Sequence, residues 1–445
     1  MKNQQYWKIW IDTGGTFTDC FAQSPLGESK SLKLLSNAAI RGKVKRQIDA
    51  QTISIDIDWP CTKDIFKNYT LVFHGLKQEA KILSVDIEQN IIKLKSPLRH
   101  IKAGTTFSLT AFEEVPVMAV RLLTQTALHE KAPALELKIG STRGTNALLE
   151  RKGAKTLLLI SKGFKDLLKI GNQQRPELFA LHIIKPEPLY MDVIEVDERI
   201  SASGEILKAL SPKEINHIVS TCKKKKVQSI ALALLNSYKN PEHEKKLQQA
   251  LRKAGFDYIS SSHELSSQIR LLPRAETTVV NAYLQPIISN YLQGIQSTLP
   301  AASIKVMNSA GGLISDKFFT PKDSLLSGPA GGVIGAGLKA QLSNKHQLIT
   351  FDMGGTSTDV SLYHQRPDYR YESKVGDYSI LSPSIAIETI AAGGGSVCDF
   401  DGYKLTVGPE SAGAFPGPAC YGAGGPLTIT DVNLLLGRLM PENFS

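Results

Sequence analysis

The sequence predicts an α/β protein that carries one β unit twice and sets a small all-β segment into its first half. Three observations carry this expectation. The stretch IDTGGTFTD at residues 11–19 returns as FDMGGTSTD at residues 351–359, with Asp, Gly, Gly, Thr, Thr and Asp identical at an offset of 340 residues. From residue 156 onward apolar runs alternate with amphipathic ones, the pattern of a mixed, largely parallel sheet. Residues 46–115 hold only short β-rich runs, with a hairpin turn near residues 88–90.

The elements follow in chain order. A β-rich run at 8–11 ends on Asp12, breaks at Gly14-Gly15, and resumes at 20–22 and again at 31–35. The second copy repeats this at 348–351, 360–363 and 369–373. A strand–turn–strand–strand unit present twice is an internal repeat, and it outranks either motif read alone. The β segment lies between the third strand and the first helix, as a lid, a docking surface or a passive insertion. Residues 156–164 read as a buried strand. Ser211, Pro212 and Glu214 then start a helix as N-cap, first-turn proline and capping-box acid. A strand at 227–235, a helix stopped by Gly255 and a strand at 256–262 come next. A long helix is expected over 276–298, kinked near Pro286. Residues 327–342 read as a turn opening a helix, either an anion site or a tight packing point.

The bulk composition excludes several classes. At 445 residues the chain has room for about three domains. It has no apolar run of membrane-helix length and no signal-peptide pattern, so cytoplasm and no membrane are expected. Five scattered cysteines argue against a disulfide framework or zinc ribbon. The net charge of +10 is read as a solvated surface rather than a nucleic-acid face, since its densest cluster, residues 223–226, ends a predicted helix. Cys398 and Cys420 flank glycine-rich loops and are candidate nucleophiles or plain small residues.

The duplicated turn suits phosphate. Glycines let backbone N–H groups come close to an anion and take positive φ, and successive N–H groups form an anion nest. Thr16, Thr18, Thr356 and Thr358 add hydroxyls. Asp12 and Asp352 would repel bare phosphate but suit Mg²⁺ held between. Two such hairpins facing each other would grip a polyphosphate; two ordinary polar hairpin turns are the plainer alternative. Gly393, Gly394 and Gly395 suggest a backbone approached by a flat ligand such as adenosine, or a loose loop.

These motifs resemble the phosphate hairpins of the actin, sugar-kinase and heat-shock-chaperone superfamily. The blocks GTNALLERKGA, GNQQRPELF, YMDVIEVDERI, LLSGPAGG and VGPESAGAFPGPACYGAGG are similar to the A-type component of the hydantoinase A/5-oxoprolinase family. The resemblance implies two ribonuclease-H-like (actin-like ATPase) domains. The first would span 1–45 and 116–270, with 46–115 as the β insertion. A connecting segment would cover 271–345, and a second domain 346–445 would be incomplete, because the chain stops at Ser445 just after the LGRL block.

It also implies ATP-dependent opening of a small cyclic amide such as 5-oxoproline or a hydantoin, by phosphoryl activation of the amide oxygen. ATP and Mg²⁺ are the implied cofactors, with a monovalent cation as a further candidate. A B-type component, separate or fused, is the implied partner, and an oligomer is expected. Asp12 and Asp352 would organise the metal. Gly14, Gly15, Thr16, Gly354, Gly355 and Thr356 would hold phosphates, Gly393–Gly395 would border the nucleoside, and Asp19 and Asp359 would orient water or act as base. Arg143, Thr145, Asn146, Asn172 and Arg175 form the candidate substrate set, each also readable as a surface pair or cap. The family's histidine before this helix is absent from IGSTRGTNA at 139–147. The alternatives are an ATP-dependent carboxylase component, a small-molecule kinase, a nucleotide-switched binding protein and an inactive fragment.

Overall fold

The computed structural model describes residues 6–440 apart from 16, 174–178, 180, 184, 414–415 and 423. The chain divides into two compact units, Met1–Gly328 with Tyr371–Ser382, and Pro329–Arg370 with Pro383–Ser445.

The first unit is built on a hairpin of strands Trp7–Thr13 and Phe17–Gln23. Their period-2 pattern puts Ile9, Ile11, Cys20 and Ala22 in the core. Strand Ser29–Leu35 extends the sheet on one side. On the other side Leu135–Ser141 and then Ala302–Met307 run parallel, and Leu313–Ser315 closes a six-stranded sheet. A parallel neighbour needs a long crossover. The β segment and helix Val115–Thr124 supply it, and the helix is apolar nearly all round and buried to match.

The β segment closes into a six-stranded barrel. Ile53, Ile55, Leu71, Phe73, Ile82, Ile92, Phe107 and Leu109 fill its interior, and closure removes free strand edges. Its first strand, Ile40–Gln47, begins before the expected boundary at 46. Only Ile40 and Val44 of that strand are buried, so it carries no alternation to read.

A second sheet is wholly parallel, in the order Tyr190–Val196, Thr156–Ser161, Ser229–Ala233, Ile259–Ser261. Its central strands are buried along their whole length, as a sheet covered on both faces requires. Ser211 caps helix Pro212–Lys225 by accepting from the Glu214 N–H at 3.2 Å. The Glu214 carboxylate accepts from the Asp197 N–H instead of closing a reciprocal box.

The long helix runs Leu271–Thr298, starting five residues before the expected position and continuing through Pro286. Pro273 lies in its first turn, where a missing N–H costs nothing. Its 28 residues span about 42 Å. Ala275, Val279, Val280 and Leu284 pack with the parallel sheet, and Ile288, Tyr291, Leu292 and Ile295 with the six-stranded one. The helix therefore ties both sheets into one body. The hairpin Ser373–Val375 and Tyr378–Ile380 docks on the same helix, with the Leu381 N–H donating to Thr277 Oγ1 at 2.8 Å.

Beneath the parallel sheet lies a buried polar cluster. Glu244 accepts from the Leu234 N–H (2.8 Å), Ser262 Oγ (2.6 Å) and the His263 N–H (3.0 Å) and pairs with His263 Nδ1 (2.6 Å). The fully buried Arg274 donates to Ser262 Oγ and to the Leu234 carbonyl. Burial holds its guanidinium below the ordinary value. Replacing Glu244 by alanine strands these donors. The expected loss is about 2–3 kcal/mol in urea unfolding; a change below about 0.5 kcal/mol would show that water already satisfies the cluster.

The second unit repeats the hairpin as Gln347–Met353 and Thr358–His364. The expected third strand at 369–373 does not join this sheet. Arg366–Pro367 and Glu388–Ile390 pair with Thr358–His364, while Tyr369–Arg370 pairs with Ser384–Ile385 and Ser373–Val375 belongs to the first unit. The run is too short and too polar for its partner to be read locally. Ala330, Val333, Tyr363 and Ile385 form the core, and Gly337 leaves room for the Tyr363 ring. Strand Trp7–Thr13 has a neighbour on both sides, but among the described residues Gln347–Met353 has one on one side only. Ile349, Phe351 and Leu362 are each 60–67% exposed, a sheet face with little packed on it. Among the described residues no helix is long and apolar enough to cross a membrane.

Candidate functional site

Each unit contributes one hairpin with the same internal geometry. In the first, Asp12 lies opposite Asp19 and Thr13 opposite Thr18. Directly opposed residues project from one face of the sheet, so both carboxylates sit together at the mouth of the turn. Ile11 and Thr13 point to the core, which leaves Asp12 exposed. The Gly14 N–H closes the turn on the Phe17 carbonyl at 3.0 Å.

Contrary to the expectation, the glycines of both turns do not use positive φ. What Gly14 provides is space, since a Cβ would lie 2.9 Å from the Phe17 carbonyl oxygen. Gly140, opposite Asp12 in the neighbouring strand, does the same for the carboxylate: a Cβ there would lie 2.9 Å from Asp12 Oδ1. Gly140 lies outside the residues that the motifs single out. Its signal was a glycine inside the strand pattern LELKIGS, which marks a close approach.

The surrounding side chains divide by role. Asp19 pairs with Lys33 at 2.9 Å on an exposed surface. Thr18 is buried and bonded to Ser36 Oγ at 3.0 Å, and Ser36 donates to the Gly14 carbonyl at 2.8 Å. The Thr18 hydroxyl thus braces the turn. Thr16 lies outside the described residues. Tyr291, from the long helix, sits beside Thr13 and Ser141, and burial pushes its phenol up to about 12. The Arg143 guanidinium stacks 4.7 Å from that ring and pairs with Glu114 at 2.6 Å.

The candidate substrate set is not one cluster. Arg143 and Asn146, on helix Arg143–Leu149, stand near the first turn, with the Asn146 amide 3.6 Å from where a Gly15 Cβ would be. The Thr145 hydroxyl is spent on the Leu325 carbonyl at 2.6 Å. Asn172 lines a separate cavity. Arg175 lies outside the described residues.

In the second hairpin Asp352 is opposite Asp359 and Met353 opposite Thr358, and the Gly354 N–H donates to the Ser357 carbonyl at 2.8 Å. Thr358 is buried and donates to the Ala392 carbonyl at 2.5 Å. Asp359 accepts from Thr389 Oγ1 at 2.6 Å, while Asp352, Gly355 and Thr356 are exposed. The triple glycine braces this turn from behind. The Gly394 N–H donates to the Gly354 carbonyl at 2.9 Å and the Gly395 N–H to the Gly355 carbonyl at 2.7 Å.

The donor set of each hairpin is all oxygen, two carboxylates beside backbone N–H groups. Among the described residues no three His, Cys, Asp or Glu gather into a metal cage. That fits Mg²⁺, which takes one or two carboxylates and completes its shell with phosphate and water oxygens. The thiols of Cys398 and Cys420 are both held above the ordinary value by burial and by Asp431, the reverse of an activated nucleophile.

Comparison with known families decides the identity. Residues 81–255 match the model of the hydantoinase/oxoprolinase N-terminal region, and residues 274–445 match that of hydantoinase/oxoprolinase. The chain belongs to the hydantoinase/oxoprolinase family. It is 38% identical to a 5-oxoprolinase of Dictyostelium discoideum, over 98% of this chain and 33% of that protein. It is 40% identical to a 5-oxoprolinase of Saccharomyces cerevisiae, over 75% and 29%, and 35% identical to the caprolactamase alpha subunit of Pseudomonas jessenii, over 67% and 45%. The chain thus spans about a third of the length of its oxoprolinase relatives. Among solved structures, the ATP-dependent caprolactamase from Pseudomonas jessenii aligns with a TM-score of 0.66 at 26% identity, covering 97% of this chain and 55% of that one. A nucleotide-free acetone carboxylase aligns at 0.63 and 21%, covering 98% and 55%, a likeness of fold.

Proposed function

We propose that this family member takes part in the ATP-dependent ring opening of a small cyclic amide, with 5-oxoproline or a related lactam as substrate. The observation that carries the reading is the carboxylate-over-glycine-turn hairpin, present with the same register in both units. The names of the relatives support the substrate class. In this reading the two units are ribonuclease-H-like halves of a cytoplasmic ATPase that works with a B-type component.

An amide carbonyl is a poor electrophile because nitrogen donates into it, and an opened five-membered lactam tends to close again. Mg·ATP, when bound, supplies the phosphoryl group that turns the amide oxygen into a leaving group. The chain's residues position and compensate charge. The N–H groups of Gly15 and Gly355 would hold phosphate oxygens, and Asp12 and Asp352 would hold Mg²⁺, which would offset the phosphate charge. Asp19 and Asp359 orient water across the turn. Arg143, held by Glu114, is placed to meet a substrate carboxylate at the first hairpin.

The test is ATP hydrolysis with Mg²⁺ in the presence and absence of 5-oxoproline, hydantoin and ε-caprolactam, using the chain with any B-type partner. Stimulation of at least about tenfold by one lactam is expected, since a correctly bound substrate aligns the acceptor. Turnover that is the same with every cyclic amide would sink the reading and favour a nucleotide switch.

A further inference from the structure

Away from the hairpins, the first unit holds a cavity of about 680 Å³, a volume in the range of small-molecule sites. The long helix provides its floor with Leu272, Glu276, Val279 and Val280, and Leu168 and Leu189 form apolar walls. Val279, Val280 and Leu189 are buried. Glu276 is the one acid that the long helix sets into this floor.

The charges around Glu276 come from three other segments. The docked hairpin brings Glu372, Lys374, Asp377 and Tyr378; the short helix Leu167–Ile170 brings Lys169; and Lys185 and Glu187 line the remaining wall. Three of these are engaged elsewhere. Glu372 pairs with Arg270 at 2.5 Å and accepts from Ser379 Oγ, Lys185 donates to the Ile170 carbonyl, and Tyr378 is bonded to Arg151 and the Glu187 carbonyl. Glu276 takes one backbone N–H, from Ser379. Burial, with Glu372 adding to it, pushes its carboxyl up to about 7, against the pull of that N–H and of Lys374.

A protonated carboxyl presents an O–H donor and a C=O acceptor side by side. A ring forces an amide to be cis, so a lactam also shows its N–H and C=O on one edge, and the two edges pair through two hydrogen bonds. An open-chain secondary amide is trans and cannot offer both at once. We propose that this cavity binds a small cyclic amide, its N–H and C=O paired with the Glu276 carboxyl and its methylenes lying on the half-buried Leu168 and Leu272.

This is a lactam site distinct from the phosphate hairpin. Glu276 and Tyr291, which sits beside Thr13, are fifteen residues apart on one helix, about 22 Å. A ligand on Glu276 is therefore outside phosphoryl reach of the first turn. The choice of a lactam, among ligands with a cis donor–acceptor edge, rests on the function proposed above.

Calorimetric or saturation-transfer titration of the chain with ε-caprolactam and 5-oxoproline, without ATP, tests the inference. Binding at pH 6 is expected to weaken at least tenfold by pH 8.5, as the carboxyl ionises and loses its donor. Glu276→Ala should weaken it at least tenfold at pH 6. Glu276→Gln, whose amide keeps a donor beside an acceptor, should retain binding and lose the pH dependence, an outcome a merely structural glutamate would not give. N-methylacetamide, held trans, should bind at least tenfold more weakly than the lactams. Equal binding by wild type and Glu276→Ala, or wild-type binding indifferent to pH, would overturn the proposal. ATP turnover in the same samples separates the two ideas. Lactam-stimulated turnover without Glu276-dependent binding removes only this site. Glu276-dependent binding without stimulation by any lactam removes the proposed function and leaves the site standing.

Discussion

Asp12→Ala is expected to lower Mg²⁺-dependent ATP turnover by about 10²–10³-fold while leaving the thermal transition nearly unchanged. The two halves of that expectation have separate causes. Asp12 is exposed at the end of its strand, and the core below the hairpin is made by Ile9, Ile11, Cys20 and Ala22, so removing the carboxylate opens no cavity. Its oxygen lies over Gly140, and the residue is held in register with Asp19. Losing a carboxylate that organises metal and phosphate charge typically costs about 3–4 kcal/mol of transition-state stabilisation, and each 1.36 kcal/mol is about tenfold in rate. Asp352→Ala should behave alike, because its hairpin repeats the register. Asp12→Asn separates charge from shape: it should be nearly as damaging as alanine. An Asp12→Ala chain that kept more than about a tenth of its turnover would end the assignment of this hairpin to metal and phosphate.

Gly393→Ala should strongly lower turnover by pushing on the second turn itself. A Cβ at this position would lie 2.6 Å from the Gly355 carbonyl carbon and 2.7 Å from both the Gly355 oxygen and the Thr356 nitrogen. Those are backbone atoms of the second turn, so no side chain can swing away and the turn itself must move. The neighbouring bonds from Gly394 to Gly354 and from Gly395 to Gly355 would be strained with it. Because positioning dominates phosphoryl transfer, a displacement near 1 Å is expected to lower turnover by about 10²-fold. Gly332→Ala and Gly335→Ala are the controls. Both glycines are helical, and an added Cβ there meets no atom within 4 Å. Each should keep full turnover and gain a few tenths to 1 kcal/mol in helix stability. Wild-type turnover in Gly393→Ala would mean that the second turn tolerates movement and does not place phosphate.

The candidate site was legible in the sequence to the extent that its chemistry is local. Asp, Gly-Gly and Asp at fixed spacing are a hairpin turn with two acids, and the repeat at residue 351 made the pattern hard to dismiss. The N-cap at Ser211 and the stop at Gly255 were read for the same reason, since each is satisfied within one turn of chain. Thr18 and Thr358 were grouped with the phosphate donors because nothing in the sequence reveals that their hydroxyls turn inward to Ser36 and Ala392. Gly140 and Glu276 were missed on similar grounds. One matters only through a strand 128 residues away, the other only because the helix, Leu168, Leu189 and a hairpin from residue 373 enclose it.

The sequence by itself determined the α/β class, the duplicated hairpin, the β-rich insertion and the family, since all of these are written in residue spacing and in period-2 or period-3.6 patterns that the backbone reads locally. Tertiary structure alone decided that the insertion closes into a barrel, that the third strand of the second hairpin is drawn from Glu388–Ile390, and that the triple glycine braces the Gly354–Gly355 turn. It also decided that a carboxyl from the long helix lines a cavity. The physical reason is the same in each case: strand partners, close backbone approaches and desolvation depend on which distant segments meet, and no local pattern encodes that meeting.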